Sequence, residues 1–69
     1  MLGEVEAIVV EVRPFELHGV TYRDLTVRFP DGSTETARLG PEGAPQNLRA
    51  GERVQATRVA NMIISVRRS

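Results

Sequence analysis

Several residue types that build common functional sites are missing or nearly missing from this chain. The 69 residues include no cysteine, no lysine and no tryptophan, and His18 is the only histidine. Without cysteine, the chain has neither disulfide bonds nor thiolate metal ligands. A lone histidine does not complete a zinc site without help from carboxylates. The sequence therefore predicts no metal site and no bound cofactor.

The near absence of these residue types also argues that the chain lacks a catalytic site. General acids, bases and nucleophiles that act near neutral pH are most often His, Cys or Lys. Ser33, Ser65 and Ser69 have no convincing base to activate them. Residues 40–43 (Gly-Pro-Glu-Gly) lack the lysine of a Walker loop and the glycine spacing of a dinucleotide-binding loop. We therefore expect a protein that is not an enzyme.

An excess of one charge and long hydrophobic runs are also lacking. Nine basic residues, all of them arginine, balance nine acidic residues, so the formal net charge at pH 7 is zero. This balance disfavours a strongly basic nucleic-acid binder and a polybasic membrane anchor. The longest apolar runs, 7–10 and 62–64, are far too short to span a bilayer. A cytoplasmic protein without membrane contact is the expectation, because the N-terminus also lacks the pattern of a signal peptide.

The length of the chain predicts a single domain, residues 1–69. A domain this small buries only roughly 60% of the surface that its unfolded chain exposes, so its stability is marginal. Disulfides and metals are already excluded as stabilising elements. A compact barrel or a partner subunit therefore remains as the way to hold such a chain folded.

The apolar residues follow the pattern of strands rather than helices. No segment sustains apolar residues at i, i+3, i+4 and i+7. Valine, isoleucine and threonine instead form short runs that are separated by Gly, Pro, Asn and Asp. The predicted strands cover residues 3–17, 20–29, 33–39, 52–59 and 62–67. We therefore expect an all-β fold.

The first two strands are expected to form a hairpin that turns at His18-Gly19. Glycine tolerates a positive φ, and histidine is among the residues enriched there. This turn sets the pairs Leu17–Val20, Phe15–Tyr22, Arg13–Asp24, Val12–Leu25, Val10–Val27 and Ile8–Phe29. Because opposed residues share a face of a sheet, the last three pairs predict one continuous apolar face.

The second hairpin is expected to turn at residues 30–32 (Pro-Asp-Gly). This sequence suits a type I turn that is closed by a glycine in the left-handed region. Two registers are open, one that places Leu25 opposite Ala37 and one that places it opposite Leu39. Both registers keep the same residues on each face.

The connection after the third strand is predicted to be irregular, because residues 40–46 contain two prolines and two glycines. Residues 47–51 are expected to form a short helical turn in which Leu48 fills the end of a barrel. The last hairpin is expected to turn at residues 60–61. Its second strand is predicted to point Ile64 inward and Ile63 outward.

Apolar residues occupy both faces of the first strand around Ala7-Ile8. A bulge there would let one long strand bend and serve two sheets. The predicted core consists of Ile8, Val10, Val12, Leu25, Val27, Leu39, Val54, Ile64 and Val66.

The second half of the chain resembles a known class of small domains. Residues 48–54 (Leu-Arg-Ala-Gly-Glu-Arg-Val), leading to 64–66 (Ile-Ser-Val), look like the closing part of many small OB-fold and SH3-like domains. A curved first strand, a meander, an irregular connection and a final hairpin are likewise the plan of an OB-like barrel. The resemblance implies a five-stranded OB-like barrel, with an SH3-like barrel as the alternative. In OB domains, the surface of strands two and three binds oligonucleotides or oligosaccharides.

The outer face of the first three strands carries the candidate binding residues. They are Arg13, Phe15, Tyr22, Arg28 and Arg38. Proteins that bind single strands combine aromatic residues with arginines on such a face, whereas exposed apolar clusters often mark subunit contacts. Three interpretations are open: a cluster covered by the 40–50 segment, a subunit interface, or a stacking platform for bases.

The leading expectation for function is a non-catalytic OB-like module that binds single-stranded nucleic acid weakly. Arg28 and Arg38 would meet phosphates, and Phe15 and Tyr22 would stack on bases. The alternative is a structural or regulatory subunit that forms homo-oligomers or docks on a protein partner through the exposed apolar patch. Two of the candidate arginines would flank Asp24, and such a charge ladder would reduce the attraction for phosphate.

Overall fold

The computed structural model describes residues 2–69. Its five strands are β1 (Leu2–Leu17), β2 (Val20–Arg28), β3 (Thr34–Leu39), β4 (Arg53–Val59) and β5 (Met62–Arg68). Within these residues no helix is long and apolar enough to cross a membrane. The predicted all-β fold is confirmed, and each strand end lies within one residue of its predicted position.

The strands form one antiparallel sheet in the order β3-β2-β1-β4-β5. The first half of β1 pairs with β4 and the second half pairs with β2. Sixteen extended residues would span roughly 50 Å. The longest dimension of the molecule is 35 Å, so β1 must be bent. No backbone ladder joins β3 to β5 within residues 2–69, so the sheet is not closed into a barrel.

A β-bulge at Val10 changes which residues of β1 point inward. On the hairpin side of the bulge, Val12 faces Leu25 as predicted. Beyond it, Val9 rather than Val10 faces Val27. An extra residue in one strand reverses the alternation of faces along the rest of that strand. The sequence predicted a bulge in this strand but placed it at residues 7–8.

The bulge moves two predicted core residues to the surface. Val9 and Ala7 are buried, with 1% and 2% of their surface exposed, whereas Ile8 and Val10 are 43% and 36% exposed. The predicted pairs Val10–Val27 and Ile8–Phe29 are therefore wrong. They assumed an unbroken alternation of inward and outward residues along β1.

A second irregularity, between Thr57 and Arg58 of β4, has the same effect on β5. Thr57 faces Ser65 and Arg58 faces Ile63, so Ile64 is the extra residue. Ile63 is 3% exposed and Ile64 is 46% exposed. The prediction that Ile64 points inward and Ile63 outward is therefore wrong, because the alternation was counted without the irregularity.

The buried side chains form one cluster on the inner face of the sheet and beneath the connection from β3 to β4. Its members are Ala7, Val9, Leu25, Val27, Phe29, Leu39, Ala44, Leu48, Val54, Ala56, Ile63 and Val66. Five predicted core residues belong to it: Leu25, Val27, Leu39, Val54 and Val66. Val12 packs against this cluster and is partly buried.

The first hairpin turns as predicted. His18 and Gly19 both have positive φ values, 53° and 78°. Two successive residues of this kind match the right-handed twist of the strands on either side. The turn therefore fixes Phe15 opposite Tyr22.

The second hairpin also turns as predicted. Gly32 has a φ of 90°, and its N–H donates to the Phe29 carbonyl at 2.9 Å. The resulting register is the one that places Leu25 opposite Ala37.

Side chains bridge the gap between the edge strands β3 and β5. The Glu35 carboxylate of β3 accepts hydrogen bonds from the Ile63 N–H at 2.9 Å and from Arg58 Nη2 at 3.2 Å. The Arg58 guanidinium carbon lies 4.8 Å from the centroid of the Phe29 ring. Glu35 thus ties β3 to both strands of the last hairpin.

The connection between β3 and β4 also fastens the structure. The Gly43 carbonyl accepts the Val66 N–H at 2.7 Å, and the Gly51 N–H donates to the Val9 carbonyl at 2.7 Å. Leu48 is buried, as predicted, although residues 47–51 form turns rather than a helix. The connection therefore links β5 to the part of β1 next to the bulge.

Candidate functional site

The five predicted site residues lie on the outer face of the sheet, but in two separate places. The register sets Phe15 opposite Tyr22, and it sets Arg13 and Arg38 on either side of Asp24. Arg28 lies six residues beyond Tyr22 on β2, which is roughly 20 Å along an extended strand. The structure therefore brings four of the predicted residues together and leaves Arg28 at the far end.

Four residues at the tip of the first hairpin, Phe15, Leu17, Val20 and Tyr22, form what we call the aromatic patch. The ring centroids of Phe15 and Tyr22 are 6.5 Å apart and their planes are tilted by 48°. This geometry is typical of favourable aromatic pairs. Leu17 and Val20 are 46% and 38% exposed, so the patch offers apolar surface to a ligand.

The connection after β3 covers one side of the aromatic patch. A Cβ atom built on Gly40 would lie 3.6 Å from Tyr22 Cε1, so the backbone at Gly40 packs against the ring. An open groove of about 650 Å³ continues from Tyr22 over residues 40–43 to Ile64 and Ser65. The expected cover by the 40–50 segment is thus present at Tyr22, while Leu17 and Val20 stay exposed.

Arg38 is held in place by two neighbours. Its Nε and Nη2 donate to the two Asp24 carboxylate oxygens at 2.7 and 3.0 Å, a bidentate contact. Its guanidinium carbon lies 4.1 Å from the centroid of the Phe15 ring, within the range of a cation–π contact. The hydrogen bonds from Arg38 hold the pKa of the Asp24 carboxyl below its usual value. Asp24 is therefore ionised at neutral pH and neutralises the charge of Arg38.

Arg13 finds a different partner from the one that the sequence predicted. Its Nε lies 3.2 Å from Glu11 Oε2, and the two side chains are 75% and 55% exposed. The charge of Arg13 still helps to lower the pKa of Asp24. Two arginines and two carboxylates therefore balance each other beside the aromatic patch, which has no surplus of positive charge.

A second surface was missed by the sequence analysis. The register places Ile8 of β1 between Arg28 of β2 and Arg53 of β4. A cavity of about 450 Å³ opens at these three residues, with Phe29 and Pro30 in its apolar lining. We call it the Ile8 cavity. The sequence placed Ile8 in the core, and only the position of the bulge could have revealed the cavity.

The Ile8 cavity carries positive charge that is only partly neutralised. Six of the nine arginines form ion pairs with residues of the described part of the chain. Arg28 is exposed and has no such partner within residues 2–69. Arg53 approaches Glu6 only to 3.8 Å, and the two side chains are 72% and 50% exposed. Solvent screens such a pair strongly, so Arg53 keeps most of its charge available.

The described residues contain no group of three or more His, Cys, Asp or Glu side chains that could hold a metal ion. The two surfaces offer apolar contact and hydrogen bonds from arginine, and the aromatic patch also offers rings for stacking.

Comparison with known proteins leaves these two surfaces as the basis for assigning a function. No protein-family model, no curated protein and no solved structure matches the chain.

Proposed function

We propose that this domain is a non-catalytic, OB-like interaction module that self-associates through its aromatic patch. The OB-like plan is supported by the strand order, in which β1 is shared between the ladders of β2 and β4. It is also supported by the gap between β3 and β5, which Glu35 and the connection at Gly43 bridge. An OB domain is a five-stranded barrel that is partly open.

The observation that carries the proposal is the bidentate contact between Arg38 and Asp24. A nucleic-acid face needs arginines whose charge is available to phosphate. Here the arginine beside the rings is neutralised, and what remains is an apolar and aromatic surface. Aromatic residues and arginine are enriched at protein interfaces, whereas most other charged residues are depleted at their centres.

The patch is also prepared for binding. Phe15 and Asp24 already hold Arg38 in one place, so an interface that includes Arg38 loses little side-chain entropy at that residue. Burying the exposed parts of Leu17 and Val20 provides a hydrophobic driving force. A second copy of the chain supplies the same apolar surface, as a two-fold symmetric contact requires.

Sedimentation velocity at several protein concentrations tests the proposal. The wild-type chain is expected to dimerise as its concentration rises, and Phe15→Ser/Tyr22→Ser is expected to stay monomeric. Leu17→Ser/Val20→Ser alters only exposed side chains and should give the same loss while the fold, checked by circular dichroism, is kept. Met62→Ser is the matched control, because Met62 is 66% exposed and lies outside the patch. A wild-type chain that is monomeric throughout, or a dimer that survives in both double variants, would contradict the proposal.

Weak binding of single-stranded nucleic acid is a second candidate function. It is favoured by the pair of rings and by Arg28, which lies on the same face without an ionic partner in the described chain. Arg38 no longer supports it as a phosphate contact, because Asp24 neutralises its charge and occupies two of its hydrogen-bond donors. Stacking would contribute roughly 1–3 kcal/mol per engaged base.

Fluorescence anisotropy with labelled homopolymers at about 50 mM salt tests this second candidate. Tyr22→Ala should weaken binding more than Arg49→Ala, which removes an exposed arginine elsewhere on the surface. The affinity should fall only shallowly with salt, because few phosphates are neutralised. The absence of binding by a folded domain at high micromolar concentration would remove this candidate.

A further inference from the structure

We propose that the Ile8 cavity is a separate binding site for a small amphipathic oxyanion, that is, a carboxylate or phosphate that carries an apolar group. The site lies across β2, β1 and β4, at the opposite end of β2 from the aromatic patch. It is independent of the proposed self-association, because the two surfaces share no residue.

The bulge at Val10 creates this site. Without the extra residue, Ile8 would point into the core and Val9 would point outward. With it, Ile8 is 43% exposed and sits at the base of the cavity. Bulges are over-represented next to binding and active sites, where they redirect a side chain. Here the redirected side chain gives the cavity an aliphatic floor.

Two arginines flank that floor. Ile8 is the Cα partner of Arg28 on one side and of Arg53 on the other. Neighbouring strands are about 4.8 Å apart, so the two arginine Cα atoms are separated by roughly 10 Å, which long side chains can span. Guanidinium groups match carboxylate and phosphate oxygens through paired hydrogen bonds. The pair is therefore suited to one oxyanion held above Ile8.

The size and lining of the cavity identify the rest of the ligand. A volume of about 450 Å³ lies within the range of small-molecule sites, roughly 300–1,000 Å³. Pro30, which is exposed, adds apolar surface beside Ile8, and the mostly buried Phe29 also lines the cavity. An inorganic ion would leave this surface in contact with water, and a neutral apolar compound would make no use of the arginines. A ligand that joins an oxyanion to an apolar group both binds the arginines and covers the apolar surface.

Glu6 gives the site an internal competitor. Its carboxylate lies 3.8 Å from Arg53 Nη1, and both side chains are largely exposed. A bound oxyanion takes over part of this interaction, so Glu6 weakens binding without preventing it. Replacing Glu6 with glutamine should therefore strengthen binding, by roughly twofold for an exposed pair of this kind.

Titration with the fluorescent anion 8-anilinonaphthalene-1-sulfonate tests the proposal, because this probe joins an oxyanion to flat apolar rings. One saturable site per folded chain is expected. Arg28→Gln and Arg53→Gln should each weaken binding by about tenfold, the loss that follows from removing a hydrogen bond to a charged group. Ile8→Ser should also weaken it. Circular dichroism of each variant verifies that the fold is kept.

Matched variants distinguish binding at the Ile8 cavity from a general effect of surface charge and from binding at the aromatic patch. Arg49→Gln and Glu16→Gln make the same changes of charge elsewhere on the surface and should leave the affinity unchanged. Leu17→Ser/Val20→Ser disrupts the proposed self-association and should leave the probe bound. An equal loss in Arg49→Gln would overturn the proposal, and so would unchanged binding in Arg28→Gln and Arg53→Gln.

Competition experiments identify the class of natural ligand. Octanoate and adenosine monophosphate each carry an oxyanion and an apolar or flat group, and at least one of them should displace the probe. Displacement by octanoate would indicate an acyl carboxylate, and displacement by the nucleotide would indicate an organic phosphate. Displacement by inorganic phosphate at the same concentration as either of them would overturn the proposal, because the apolar floor would then play no part.

Discussion

Arg38 shows how the environment of a single residue changes a functional interpretation. Its position opposite Asp24 belongs to one of the two registers that the sequence left open for the second hairpin, and the structure shows that this register is the one formed. The partner of the neighbouring Arg13 was not predicted correctly. The sequence placed Arg13 beside Asp24, but its guanidinium forms an ion pair with Glu11. Exposed ion pairs contribute about 0–1 kcal/mol, so a sequence does not determine which of two nearby carboxylates a long side chain selects.

Gly32 is a residue at which the backbone restricts the choice of side chain. Its φ of 90° lies in the left-handed region, and no atom would obstruct an added Cβ. Gly32→Val should therefore destabilise the domain through backbone strain alone, by about 1–2 kcal/mol. Urea denaturation followed by circular dichroism measures the change.

Gly3→Val is the matched control for this prediction. Gly3 is exposed, has open space around its Cα and does not have a positive φ. Valine should be tolerated there, because β-branched residues favour strands. Equal losses at the two positions would mean that the conformation of the second hairpin turn is not the cause.

At the scale of the element, the two strand irregularities explain why the candidate surfaces were only partly predicted. Apolar residues fill both faces of β1 from Ala7 to Val10, so the pattern shows that a bulge is present without showing where. The contacts that select Val10 come from distant parts of the chain, since Gly51 and Glu52 bond the backbone of Val9. The aromatic patch lies on the hairpin side of the bulge, where the pairing of β1 with β2 is regular. The sequence therefore predicted correctly that its residues cluster.

Two alanine substitutions in β1 test the position of the bulge. Val9→Ala removes two methyl groups from a fully buried side chain and should cost about 2 kcal/mol, including the cavity that remains. Val10→Ala alters a residue that is 36% exposed and should cost less than about 0.5 kcal/mol. Denaturant unfolding of the two variants under identical conditions gives the comparison. A larger loss of stability for Val10→Ala than for Val9→Ala would contradict a bulge at Val10 and favour a strand whose residues alternate between the two faces without interruption.

At the scale of the whole molecule, ion pairs join strands that are distant in sequence. Glu4 of β1 accepts two hydrogen bonds from Arg67 of β5, at 2.6 and 2.9 Å. Glu52, which precedes β4, accepts a hydrogen bond from Arg68, also of β5. These hydrogen bonds hold the pKa values of both carboxyls below their usual range. The end of β5 is thus fastened to β1 and to the residue before β4.

The domain should therefore lose stability in acid. The carboxyls of Glu4, Asp24, Asp31 and Glu52 all have lowered pKa values when folded. Their contribution is complete above the pKa of the unfolded chain and disappears as the pH falls through the lower pKa of the folded state. The urea midpoint should change little between pH 7 and pH 5, and it should fall below about pH 4.

A variant distinguishes these ion pairs from a general effect of acid. Glu4→Gln should be less stable than the wild type at pH 7, and the difference should shrink as the pH falls through the lowered pKa of Glu4, because the wild-type carboxyl then becomes protonated. Glu16→Gln, at an exposed glutamate without an ionic partner in residues 2–69, should follow the wild type at every pH. A midpoint that rises on acidification would contradict the assignment.

The two hydrogen bonds that take up backbone N–H groups of β5 have a consequence for behaviour at high concentration. An edge strand with unpaired N–H groups can template the addition of strands from other molecules, which leads to fibrils. In β5 the N–H groups of Ile63 and Val66 are already taken by the Glu35 carboxylate and the Gly43 carbonyl. Copies of this chain should therefore meet face to face and not grow by strand addition along β5. Glu35→Ala releases one of these N–H groups, and faster fibril formation by this variant, measured by thioflavin T fluorescence, is the expected sign.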